Sequence, residues 1–321
     1  MRFLSLCYHY IRKNDNQFPR ILGTSENEFI DNIQMLKNNY EMINLDDIIN
    51  YFYKNSNLIS SQKTKMLISF DDGLSDHFQA AKILNKNGIS AVFFIPTCII
   101  EDKLPPNPTI IHYTIAKYGI SKFLEFFRSS LIKYGILDKI SINYKKNKDD
   151  PWLVIQEIKN IFKYNLEYSL SRKILLDIYK NSLEKDDSKI FQKMHLTNEQ
   201  IKLMIGMGHH IGAHTHTHIS VASTNLTEDE KFKEFIQPKE ILEKLFNISV
   251  NSFSYPFGET KDCLSEKDLS NYLKEYKLIF TVNEKLNTTT TSRYELGRYQ
   301  PISTDTTSIL KKKLKKIEME E

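Results

Sequence analysis

Apolar residues recur along this chain in short blocks whose period switches between that of a strand and that of a helix. Phe3 to Cys7 is a short apolar run and reads as a buried strand. Ser25 to Asn39 follows, with Phe29, Ile30, Ile33, Met35 and Leu36 at mostly helical spacing. Ser25 is placed to cap that helix, with Glu28 three residues on. Leu45 to Tyr53 reads as a second, shorter helix. Met66 to Phe70 is a strand that runs into Asp71-Asp72-Gly73, and Asp76 to Asn87 is a helix closed by Gly88. Ala91 to Ile95 is an unbroken apolar run of the kind found in parallel sheets covered on both faces.

From about Thr97 to His195 no convincing strand occurs. The stretch opens with Pro105-Pro106-Asn107-Pro108 and continues through an aromatic-rich helical segment, Ile110 to Tyr134. A polar loop, Asn143 to Asp150, precedes more helix from Trp152 to about Glu184. Alternation then resumes. Thr197, with Gln200 three residues on, caps a helix to about Met207, and His209 to Ala213 is a strand. Thr227 to Phe246 is a long helix interrupted near Pro238. Ser252 to Tyr255 and Leu278 to Val282 are strands separated by a helix, Ser265 to Tyr276. Glu295 to Gly297 ends another strand, and a final helix runs from Ser303 to the Lys-rich end.

Repeated strand–helix units predict an α/β fold, with parallel strands inside and helices outside. The expected architecture is one (β/α) barrel domain over residues 1–321, with a helical insertion at about 97–195. His9, Asp71, Asp72, His214, Phe257 and Arg298 all fall just after strands. In a βα barrel the loops at those ends converge on one face, which argues for a single site.

Composition narrows the function. The chain has 321 residues, 40% apolar and 26% charged, the profile of a soluble globular protein. A net charge of +4 is too mild to argue for nucleic acid. Cys7, Cys98 and Cys263 are scattered, form no CxxC pair and fit a reducing compartment. No apolar stretch is long enough to cross a membrane. The first residues read as a strand rather than a signal peptide, so a cytoplasmic location is expected. Lys311, Lys312, Lys313, Lys315 and Lys316 read as a solvated helix face, with weak contact to an anionic membrane surface as the alternative.

Two segments stand out for chemistry. Ser69-Phe70-Asp71-Asp72-Gly73 ends a strand on adjacent carboxylates, which can divide labour between metal binding and proton transfer. A solvated turn is the plainer reading, since Asp and Gly favour turns. Gly212-Ala213-His214-Thr215-His216-Thr217-His218 holds three alternating histidines. In a helix His214 and His218 would share a face and His216 would point away; in an extended segment all three would share a side. A solvated polar loop is the bland alternative. Asp72, His214 and His218 together make a two-histidine, one-carboxylate set suited to Zn²⁺ or another divalent metal. His209-His210 read as structural or exposed, His77 as solvent-facing, and His112 and His195 carry no assigned role.

Ser-Phe-Asp-Asp-Gly, then His-Thr-x-x-His, then Phe-Ser-Tyr-Pro-Phe-Gly resemble the motifs of the polysaccharide deacetylases (carbohydrate esterase family four). The resemblance spans about residues 1–98 and 196–300 and implies a distorted (β/α) barrel that removes acetyl groups from sugars with a divalent metal, Zn²⁺ being expected. It implies Asp71 as catalytic base and Asp72, His214 and His218 as metal ligands. Thr215 would support the loop, and Phe257 would offer its main-chain N–H to the oxyanion.

This chain departs from the family at three places. Ser254 stands where an Arg usually holds the catalytic Asp, no Asp-x-x-Asp-Trp motif is present, and Leu296-Gly297-Arg298 replaces Leu-x-His. Tyr8-His9, ending the first strand, resembles the branch that acts on envelope sugars. A swap follows as an expectation: Arg298 orients Asp71, and His9 is the general acid or contacts the substrate. The implied substrate is an acetylated sugar of a surface glycan or its precursor. Alternatives are another acyl hydrolase (a deformylase or an O-acetyl esterase) and a non-catalytic glycan-binding relative.

Overall fold

The apolar blocks line up as a parallel sheet. In the computed structural model, which describes residues 2–12, 17–54, 63–140, 151–222, 224–272 and 274–320, the strands are β1 (Phe3–Tyr8), β2 (Glu41–Met42), β3 (Lys65–Phe70), β4 (Val92–Ile95), β5 (His210–Ala213), β6 (Ser252–Ser254) and β7 (Leu278–Phe280). They lie in the order β1-β3-β4-β5-β6-β7, all parallel. Every residue of β1, β3 and β4 is buried, as two-sided coverage requires. β2 is two residues long, too short to show a period in the sequence. It takes the start of β3 (Glu41 beside Lys65), while β4 takes its end (Ser69 beside Val92).

The expected strand at Glu295 to Gly297 is instead a seam of single bridges. Leu296 pairs with Phe280 on one side and Tyr299 with Leu6 on the other, so this segment joins β7 to β1. The cause is local. Asn287 accepts a bond from the Gly297 N–H (2.8 Å) and donates to its carbonyl (2.9 Å), occupying the groups a strand ladder needs. A side chain at Gly297 would meet the Asn283 carbonyl oxygen at 2.4 Å.

The helices are α1 (Glu26–Asn39), α2 (Leu45–Lys54), α3 (Asp76–Lys86), α4 (Asn107–Tyr118), α5 (Ile120–Lys133), α6 (Pro151–Asn160), α7 (Tyr168–Tyr179), α8 (Ile190–Met194), α9 (Asn198–Gly206), α10 (Glu228–Lys231), α11 (Gln237–Phe246), α12 (Glu266–Tyr272) and α13 (Thr307–Met319). Ser25 caps α1 by accepting from the Glu28 N–H, and Thr197 and Gln200 form a capping box on α9. The break in the long helix is a π turn, Phe232–Ile236, between α10 and α11. Pro238 follows in the first turn of α11, and its missing N–H leaves the carbonyl one turn back without its usual partner.

α4 to α8 fall between β4 and β5 and pack on one another around Ile110, Phe123, Phe127, Ile158, Ile174 and Ile178. That cluster is separate from the one under the barrel helices. Burying each of those side chains stabilises the fold by about 1.5–3 kcal/mol, so the segment has its own core. Tyr134 packs on it from the edge. The polar stretch Asn143 to Asp150 lies outside the described residues. No helix among the described residues is long and apolar enough to cross a membrane. The Lys-rich end is amphipathic: Leu310, Leu314 and Ile317 of α13 are buried, Lys313 pairs with Asp305 and Lys316 with Glu320.

Candidate active site and metal centre

β3 leaves the sheet through two left-handed residues, Asp72 (φ 80°) and Gly73 (φ 58°). A Cβ on Gly73 would sit 2.6 Å from Ile99 Cδ1, so glycine suits both the torsion and the space. The sharp exit sends the two carboxylates to different partners. Asp71 turns to the seam and Asp72 to the histidine loop.

Arg298 is fully buried and grips Asp71 with both ends of its guanidinium, Nη1 to Oδ1 and Nη2 to Oδ2, each at 2.8 Å. Its remaining donors reach the Thr281 carbonyl (3.0 Å), Ser69 Oγ (3.2 Å) and Ser254 Oγ (2.7 Å). Ser254 in turn donates to Asp71 Oδ2 at 3.1 Å. The small serine leaves room for an arginine arriving from the seam. Burial pushes the Asp71 carboxyl up, but the Arg298 charge and hydrogen bonds, together with the His214 and His9 charges, outweigh it and hold the group well below the usual carboxylate range.

The histidine loop is neither a helix nor extended. Thr215 (φ 60°) and His218 (φ 63°) are left-handed, and Thr215 Oγ1 accepts from the His218 N–H at 2.9 Å. This folds His214 and His218 to one side and His216 to the other. His214 Nδ1 donates to the Ser254 carbonyl at 2.7 Å, which leaves Nε2 facing Asp72 Oδ1 at 3.5 Å. His218 Nε2 lies 3.0 Å from the same oxygen. His216 instead contacts Thr97 Oγ1 (2.9 Å) and Asp102 (3.2 Å).

One donor atom each from Asp72, His214 and His218 falls within a 4.8 Å circle. Asp72 Oδ1 and His214 Nε2 are buried there without any hydrogen bond, a costly state unless something occupies the point they face. Fixing the far nitrogen of His214 on a carbonyl is how a protein presents a metal-ligating imidazole. The donor set therefore fits a divalent transition metal. A second group, Cys7, His9 and Asp71, is equally close. It fits less well: burial keeps the Cys7 thiol protonated, and Arg298 holds both Asp71 oxygens.

His9 follows β1, is half-buried, and has Nδ1 3.5 Å from Gln300 Nε2. Desolvation lowers its pKa from the ordinary imidazole value, against the pull of Asp72 and Asp71. Its carbonyl accepts from His77 Nε2 at 2.9 Å. His77 is fully buried rather than solvent-facing, its ring tilted against Phe70 at 5.1 Å, and burial pushes its pKa down to about 4. His195, also fully buried, contacts the Gly73 carbonyl (3.3 Å) and Thr109 Oγ1 (3.4 Å), bracing the Asp-Asp-Gly exit from the helical insertion. Phe257 is left-handed (φ 64°), its ring meets that of His218 edge-on at 4.8 Å, and its N–H has no partner among the described residues. All of His9, Asp71, Asp72, His214, His218 and Phe257 line one cavity of about 990 Å³.

Residues 180–281 match the family model described as polysaccharide deacetylase. That segment is similar to the polysaccharide deacetylases. The deacetylase match runs from the end of the insertion through β7, so it covers His214, His218 and Phe257 but not Asp71, Asp72 or Arg298. The fold extends the likeness to the whole chain. It is similar to the Streptococcus pyogenes deacetylase PplD, solved in complex with acetate, with a TM-score of 0.61 at 16% identity over 98% of each chain. It is similar to a de-N-acetylase from Aggregatibacter actinomycetemcomitans (0.56, 14%, 98% of this chain and 100% of that one). IcaB from Ammonifex degensii gives 0.53 at 15%, over 96% of this chain and 95% of that one. No curated protein sequence matches the chain.

Within the matched segment the sequence reading missed Glu234. This fully buried carboxylate accepts from the His216 and Thr217 N–H groups (2.9 Å each), from Thr217 Oγ1 (2.8 Å) and from the Tyr168 hydroxyl. It is the brace of the histidine loop. It lies in the π turn, whose extra residue re-phases the helix faces, so regular helical spacing gives no signal for it.

Proposed function

We propose that this chain is a metal-dependent deacetylase that removes an N-acetyl group from an amino sugar of a cell-envelope or other surface glycan, or of its precursor. The observation that carries the reading is the partnerless Asp72–His214–His218 set beside an Asp71 held by Arg298, at one cavity. Asp72, His214 and His218 would hold Zn²⁺, which when bound polarises a carbonyl and lowers the pKa of a bound water.

The chain's own groups do the rest. Asp71 stays ionised and oriented; its Oδ1 accepts one bond from Arg298 and keeps a lone pair for the proton of the attacking water. The Phe257 N–H is a donor for the oxyanion, worth about 3–4 kcal/mol where such a donor is well placed. Its left-handed backbone is the kind of local strain that functional loops hold. His9 gives a proton to the departing amine as the C–N bond breaks and regains the one that Asp71, within 4.8 Å of it, took from the water, or it contacts the sugar. Water thus adds across the amide, giving acetate and a free amine.

The test is one preparation with three measurements: metal content, acetate release and free amine from N-acetylglucosamine oligomers. About one divalent ion per chain, with acetate and amine released together, is the expected result. Formate, or acetate without amine, assigns the site to a deformylase or an ester hydrolase instead.

A further inference from the structure

The cavity has a second wall, built by the insertion. Gln156, Lys159, Asn160 and Lys163, at spacings of three, four and seven, put one face of α6 and the turn after it (Ile161–Asn165) onto the cavity. Four cationic side chains line the space, Arg20, Lys159, Lys163 and Lys261, against Asp71, Asp72 and Glu259. Most of these charges are already engaged. Asp71 is taken by Arg298, and Asp72 faces the two histidines. Lys261 pairs with Glu259 at 2.9 Å, and Arg20 donates to the Ala116 carbonyl at 3.0 Å. Lys163 lies 3.6 Å over the Phe257 ring and 3.8 Å from Asp262.

Lys159 is the exception. It is half-buried, and among the described residues it makes no hydrogen bond or ion pair. The same wall carries the apolar side chains Ile111, Ile115, Ile155, Phe162 and Leu166. Desolvation accordingly lowers its pKa from the ordinary lysine value. His112 on the same wall is no substitute cation, because burial and then the Lys159 charge hold it neutral. Only Asp72, which faces the two histidines, pulls against the desolvation of Lys159, so the ammonium is costly to keep and low-dielectric walls strengthen whatever anion reaches it.

We propose that the cavity takes an amino sugar that bears an oxyanion, a phosphate or a carboxylate, and that Lys159 is the counter-charge for that group. The acetamido end of this ligand rests on the deacetylase reading; the oxyanion end does not.

The experiment measures calorimetric binding of three probes to the metal-loaded protein. They are N-acetylglucosamine 1-phosphate, N-acetylmuramic acid as the carboxylate arm, and uncharged methyl N-acetylglucosaminide. At least one charged probe binds about tenfold or more tighter than the uncharged one, the scale of one charge-assisted bond, and the tighter arm identifies the oxyanion. Lys159→Gln abolishes that preference and Lys159→Arg restores most of it. On acetate release, Lys159→Gln raises KM for the charged sugar and leaves kcat near the original value. Equal binding of all probes overturns the proposal. So does a charge preference that survives Lys159→Gln, which would place the anion on the metal. A collapse of kcat on the uncharged sugar as well also overturns it, making Lys159 a proton donor. Charge-selective binding that depends on Lys159 but yields no acetate leaves this site standing and sinks the deacetylase reading alone.

Discussion

Arg298→Met removes five donor contacts from the protein interior while keeping most of the side-chain volume. What it strands is the Asp71 carboxylate, which is buried and retains only Ser254 as a hydroxyl donor. Leaving one partner of a buried pair uncompensated costs about 3–5 kcal/mol. For a chain of 321 residues, with an unfolding entropy of about 2.1 cal/mol/K per residue, that becomes a Tm loss of roughly 4–8 °C. The pH dependence has a definite sign. With Arg298 present, the folded pKa of Asp71 lies below the unfolded value of about 3.9, so the pair contributes fully above that pH and is lost as pH falls through the lower folded value. In the variant, burial is no longer offset by the Arg298 charge and raises the folded pKa, so the penalty is largest at neutral pH and fades on acidification. The two melting temperatures should therefore converge as pH falls from about 7.5 towards about 4. Thermal unfolding of the chelator-treated protein measures this without any assay of activity. Asp71→Asn in the Arg298→Met background should recover most of the loss, because the stranded charge is gone. A variant melting within about 1 °C of the original protein, the range of a surface substitution, would refute the reasoning. So would a double variant no more stable than Arg298→Met.

Three further outcomes are expected. Asp72→Asn, and His214→Ala with His218→Ala, should lose the bound metal, whereas Asp71→Asn should keep it and lose acetate release; metal analysis alongside turnover checks the division, and His216→Ala should keep the metal. His9→Ala should cut acetate release by about 10²-fold or more with metal content intact, the scale of a general acid, measured as kcat on N-acetylglucosamine oligomers. Gly212→Ala should cost about 1–3 kcal/mol in denaturant unfolding, because the new Cβ would lie 2.4 Å from the Phe94 ring.

The fold was legible because parallel strands buried on both faces leave runs such as Ala91 to Ile95 that nothing else in the chain imitates. Gly88 and Ser25 marked helix ends for reasons of backbone chemistry that act locally. The seam was misread as a strand because its pairing is set by Asn287, ten residues before Gly297, and side-chain capture of a ladder leaves no periodicity. Asp71, Asp72, His214 and His218 stood out by residue type and by position after strands, and the structure brings their carboxylates and rings together. Arg298 was singled out because a motif position held the wrong chemistry for an acid; its five hydrogen bonds go to four residues in three separate segments. His77 and His195 escaped because burial of a histidine depends on tertiary packing, not on its neighbours in sequence. Lys159 escaped because a lysine on a helix reads as solvated until a cavity is seen beside it.

The barrel seam also ties the site to the order in which the chain is made. Tyr299 bonds back to Ser5 and Cys7, nearly the full length of the chain away, and Arg298 sits within that last closure. Contacts of such long sequence separation are slow to form, since the loop entropy is spent before they reward it. During synthesis Asp71 therefore waits, without its cation, through the emergence of more than two hundred residues. A nascent or truncated chain ending before Arg298 carries a bare carboxylate where the finished protein carries an ion pair. Completion of the barrel and pairing of Asp71 are one event, so no partly built form of this chain is expected to carry the finished site.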